Sequence, residues 1–102
     1  MYKRIRAIEG MRGKAVLYEL DEEISYRGNN DEDEKTNFVI VSAVVAPHTG
    51  PETYIFPSNE AGAIVDWCEI SGSYRGGLCH TKAMEGLMRS IKNRNESNEE
   101  TY

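Results

Sequence analysis

Two cysteines, two histidines, three prolines and one tryptophan are all that this chain of 102 residues holds of those types. Each scarcity removes a class of function. Cys68 and Cys79 cannot form the disulfide framework of a small secreted domain. With His80 they could offer three metal ligands, but the second cysteine pair or extra histidine of a structural zinc site is missing, and His48 lies far off in sequence. No metal and no cofactor is expected. No apolar run approaches the ~20 residues of a membrane span. The opening MYKRIRAIEG has Lys3, Arg4 and Arg6 but no apolar segment behind them, so it does not read as a secretory signal. No GxSxG, Walker A or HExxH pattern occurs. Cys79 and His80 are adjacent, and neighbours on a helix point about 100° apart, which keeps them from pairing as nucleophile and base. The residues point away from an enzyme.

Lysine and arginine are absent from Thr36 to Tyr74. The net charge of −5, from 12 Lys and Arg against 17 Asp and Glu, is unevenly spread. Residues 1–14 are basic, residues 19–34 are acidic, and cations return at Arg75, Lys82, Arg89, Lys92 and Arg94. A chain without a broad basic face does not wrap long nucleic acid. A local pocket for a small anion remains open to it.

What is present suffices for a single domain over residues 1–102. A domain of this size buries little more than ~60% of its unfolded surface. A thin core, an apolar helix stripe and the edges of a small sheet together suggest a homo-oligomer.

Along the chain, YKRIRAI alternates, with Tyr2, Arg4 and Arg6 on one side and Lys3, Ile5 and Ala7 on the other. KAVLYEL and EISYR, flanking Asp21 and Glu22, read as two strands, although Val16, Leu17, Leu20 and Ile24 also fit a helical stripe, and period alone leaves helix or strand open for residues 14–26. Residues 28–36 form an acidic loop. NFVIVSAVVA is apolar on both faces, the pattern of a central strand. ETYIFP and AIVDWCEI, joined by a turn at SNEAG, read as an antiparallel hairpin. In CHTKAMEGLMRSIK, Met84, Leu87, Met88 and Ile91 keep helical spacing. The polar end, residues 93–102, reads as a frayed tail. The class is α+β: a mostly antiparallel sheet with one amphipathic C-terminal helix.

The segment GSYRGGL, Gly72 to Leu78, enters that helix. Unpaired N–H groups and the dipole at a helix start favour an anion. Gly76 and Gly77 would let a ligand approach the backbone. Arg75 offers a planar donor fork suited to phosphate. His80 and Lys82 stand in the first helical turn, and Tyr74, Phe56 or Trp67 could stack on a base. The candidate ligand site is therefore Arg75, Tyr74, Gly76, Gly77, His80, Lys82, Phe56 and Trp67. The alternative is a plain connection whose arginine stands in solvent.

The run from Val41 to Leu87 contains GPETYIFP, a hairpin ending in DW-x-E, GSYRGG, and H-x-x-A ahead of the last helix. In these features it resembles the first Thoeris anti-defence family, small phage-encoded proteins. That resemblance implies a non-enzymatic, oligomeric sponge for cyclic ADP-ribose isomers, working in the cytoplasm of an infected bacterium and enclosing the nucleotide between subunits without cleaving it. The GY-type ending usual in the family is replaced here by MRSIKNRNESNEETY. A different reading takes the run Asp31 to Glu34 as a mimic of nucleic-acid phosphates, in a protein-protein inhibitor of a bacterial defence complex.

Overall fold

The computed structural model describes residues 1–10, 13–27, 33–48, 50–67, 70 and 77–100; of Arg27, Asp33, Ala46 and residues 94–100 it describes the backbone alone. Four antiparallel strands, β1 (Tyr2–Ile8), β2 (Lys14–Arg27), β3 (Asp33–Ala46) and β4 (Gly50–Ser58), form one sheet in the order β1-β2-β3-β4, and α1 (His80–Glu100) packs on one face. The class is α+β.

The apolar pattern of the central strands accounts for a sheet filled on both faces. Val16, Tyr18, Leu20 and Ile24 of β2 join Val39 and Val41 of β3 and Ile55 of β4 beneath Ala83, Met84 and Leu87 of the helix. The expected stripe of Met84, Leu87, Met88 and Ile91 is the side that packs there, with Ile70 beside it. On the opposite face Ala15, Leu17 and Ile40 form a smaller cluster with Ile8, Phe38 and Ile64 against it.

Two bulges change the sequence pattern. Arg4 pairs with Tyr18 but Arg6 pairs with Leu17, so the alternation of β1 reverses between them. Tyr2 and Arg4 lie on the helix side and Arg6 on the other, not all three together. There Arg6 donates to the carbonyl of Ala61 at 2.6 Å. In β2 no turn forms at Asp21. The strand runs on to Arg27, and Leu20, Asp21, Glu22 and Glu23 face Asn37 alone, because Glu19 pairs with Phe38 and Ile24 with Thr36. The extra length bulges outward with Asp21, Glu22 and Glu23 exposed, while Ile24 returns to the core at 2% exposure.

Among the described residues, the second strand of the expected β4 hairpin shrinks to a single bridge between Ser58 and Ile64. The turn before it is tightly tied. Asn59 and Ala63 bond backbone to backbone at 3.0 Å, the Ala63 amide donates to Asn59 Oδ1 at 2.9 Å, and Gly62 takes φ +88°. Beyond Ile64, the Val65 amide donates to the carbonyl of Pro57, but it is Ile70, not Trp67, that donates to the carbonyl of Ile55. Trp67 stands 68% exposed, and Asp66 beside it is half-buried.

Strand β3 begins at Asp33, inside the segment read as an acidic loop; residues 28–32 lie outside the described residues. The helix continues through the segment read as a tail, to Glu100. No proline or glycine interrupts NRNESNEE, and glutamate and arginine sustain helix.

Candidate functional site

The helix covers only part of its sheet face. Beyond its N-terminus a cavity of about 600 Å³ remains. Its floor is Val16, Tyr18, Ala43 and Val45, Leu78 and Cys79 close one side, and Arg4 and Lys14 stand at the rim. The alternation of β2 explains the placement, since Lys14, Val16 and Tyr18 are spaced by two and share a face. The reversal in β1 brings Arg4 to this face and takes Arg6 away from it.

The helix start is fixed to the sheet by one buried side chain. Thr53, fully buried on β4, donates its hydroxyl to the carbonyl of Gly77 at 2.8 Å and accepts from the amide of Cys79 at 3.0 Å. Gly13 lets β2 begin against β3: it takes φ +68°, and a Cβ there would lie 2.0 Å from the carbonyl oxygen of Ala43.

His80 joins helix to sheet. Its Nε2 lies 2.9 Å from the carbonyl oxygen of Lys14, which can only accept, so Nε2 carries the proton. Nδ1 is then the acceptor for the Tyr18 hydroxyl at 3.5 Å. Burial, opposed by the Lys14 carbonyl and reinforced by the charges of Lys14 and Arg4, holds the imidazole below its ordinary pKa of 6.5. Burial, then the neighbouring Tyr2, raises the Tyr18 phenol above 10.0, with Arg4 acting against them. Both rings are therefore uncharged at neutral pH. Tyr2 stands edge-on to Tyr18 at 5.6 Å.

The electrostatics are one-sided. No Asp or Glu is among the described residues lining the cavity, in a chain of net charge −5. Among the described residues neither Arg4 nor Lys14 makes an ion pair; the one between Met1 and Asp21 lies elsewhere. The first turn of α1 carries no acidic residue, so the positive end of the helix dipole is not offset.

Of the residues expected at a ligand site, His80 lines the cavity, and Gly77 accepts the Thr53 hydroxyl next to the lining residue Leu78. Lys82 is exposed two residues further along the helix. Tyr74, Arg75 and Gly76 lie outside the described residues. Phe56 and Trp67 are brought together, at 5.4 Å between ring centres, with Tyr54 stacked on Phe56 at 6.0 Å. They belong to the other face of the sheet, because Phe56 pairs with Ile40 and not with the helix-side Val41. Arg4, Lys14 and Tyr18 escape a reading centred on the glycine segment. The available signal was the basic N-terminal stretch next to a strand with Lys14, Val16 and Tyr18 in alternation.

No protein family, curated protein or solved structure matches the chain. Among the described residues no helix is long and apolar enough to cross a membrane, and no group of three or more His, Cys, Asp or Glu could hold a metal ion.

Proposed function

We propose that this protein binds a small phosphate-bearing signalling nucleotide and holds it without turnover, a cyclic ADP-ribose isomer being the ligand that the family resemblance implies. The observation that carries the reading is the cavity at the start of α1, with Arg4 and Lys14 at its rim, apolar walls of Val16, Ala43, Val45 and Leu78, and no carboxylate among the described residues that line it. Phosphates would meet the two cations and the helix N-terminus, and a base would lie against the apolar wall. The setting that goes with this reading is the cytoplasm of an infected bacterium, in a homo-oligomer.

The test is to incubate the protein with the product of a TIR-domain immune enzyme, remove unbound nucleotide, and heat-denature. Intact nucleotide should be released from the wild type and be missing from an R4E/K14E variant. Release of a cleaved product, or equal release from the variant, would refute the reading.

A second reading, an acidic inhibitor of a defence complex, draws on the run Asp31 to Glu34, in which the Glu34 side chain is exposed while Asp31 and Glu32 lie outside the described residues. Neutralising the run should abolish anti-defence activity while leaving nucleotide retention intact.

A further inference from the structure

We propose that His80 makes anion capture proton-linked: filling the cavity between Arg4 and Lys14 draws one proton onto the imidazole. The inference rests on the nucleotide-binding reading above and adds how that site is regulated.

The geometry allows the proton to arrive without moving a heavy atom. In the neutral ring Nε2–H donates to the carbonyl of Lys14, and Nδ1 accepts from Tyr18. When Nδ1 takes a proton, the Lys14 contact is unchanged. Nδ1–H then donates to a lone pair of the Tyr18 oxygen, and the hydroxyl turns its own hydrogen away from the ring. One proton thus brings a third positive charge to the cavity wall and frees an O–H donor beside it. Tyr18 and His80 both line the cavity, so each change faces the ligand.

Everything charged around His80 opposes this proton while the site is empty. Lys14 of β2 and Arg4 of β1 repel it, and no carboxylate among the described residues acts on it. Tyr18 is an uncharged phenol with Tyr2 behind it. On the helix itself the neighbours are Cys79, Thr81 and Lys82, and the dipole is positive at this end. A phosphate-bearing ligand reverses that sign. An opposite charge within ~4–6 Å raises such a group by about one to three pH units. By linkage, each unit of that rise appears as about tenfold tighter binding once pH has fallen below the empty-site value.

The probe is ADP-ribose, whose pyrophosphate diester does not change charge across the titration range of histidine. Its affinity should rise about tenfold between roughly pH 8 and pH 5.5, and calorimetry in buffers of different ionisation heat should show proton uptake. H80Q keeps an N–H donor for Lys14 but cannot titrate, so its affinity should not vary with pH. NMR titration of the wild-type His80 ring reads the same quantity without a variant, and its midpoint should move up on adding ADP-ribose. Binding with no pH dependence, or with an unmoved His80 midpoint, overturns the proton linkage and leaves the binding reading standing. No binding at either pH overturns both.

Discussion

Replacing Thr53 with valine tests how the helix start is held. The side chain is fully buried, and its hydroxyl makes two contacts, to the Gly77 carbonyl at 2.8 Å and from the Cys79 amide at 3.0 Å. Valine keeps the shape and removes both. Each backbone group left without its partner costs about 1–3 kcal/mol when buried, less where water can reach it. Gly77 and Cys79 are half-buried, so the two together come to roughly 2–3 kcal/mol. In a domain of about 100 residues that lowers Tm by roughly 10–20 °C. Serine is the control. It keeps the hydroxyl and loses one buried methyl, worth about 1 kcal/mol. Thermal unfolding followed by circular dichroism should therefore rank wild type above T53S and T53S above T53V. If T53V matches the wild type, or T53S is the less stable variant, the hydroxyl does not hold the helix start and the reasoning fails.

Leu87 is 1% exposed under the helix, and L87A should cost about 2–5 kcal/mol in urea unfolding. At Gly13 an added Cβ meets the Ala43 carbonyl at a backbone angle that L-residues avoid, so G13A should destabilise by more than about 1 kcal/mol in the same assay. Arg4 and Lys14 are exposed and make no ion pair among the described residues, so R4E/K14E should leave Tm within a few degrees while abolishing ADP-ribose binding in calorimetry. The depressed His80 gives a signed pH effect. The unfolded chain takes this proton more readily than the native one, so the contribution is intact above about pH 6.5 and is lost as pH falls from there toward the native value. Denaturant unfolding should show the wild type losing stability over that window relative to H80Q.

The sheet was legible where burial governs the sequence. NFVIVSAVVA reads as a central strand because both its faces are covered, and β3 is that strand. The stripe from Met84 to Ile91 is legible for the same reason. Bulges are not, because alternation assumes that every residue advances the ladder by one. Arg4 and Arg6 look equivalent in sequence and end on opposite faces. The same blind spot divided KAVLYEL and EISYR into two strands at Asp21 and Glu22, where the chain makes a long bulge within one strand. AIVDWCEI carries a strand pattern, but the Asn59 and Ser58 contacts close the turn and the ladder stops after one bridge. The candidate site was visible only in part. His80, read from the helix start, lines the cavity, whereas Arg4, Lys14 and Tyr18 come from strands distant in sequence and meet it only through sheet pairing.

The order β1-β2-β3-β4 followed by a terminal helix has a consequence during synthesis. Each strand can pair with the one made just before it, so the sheet can assemble progressively as the chain leaves the ribosome. Its larger apolar face, built on Val16, Tyr18, Val39, Val41 and Ile55, stays bare until α1 emerges at the end. A premature stop before His80 would release a paired sheet with its main core open to water and one edge, β1, free to recruit another chain. The basic side chains Lys3, Arg4 and Arg6 on that edge would then be what keeps such nascent sheets apart.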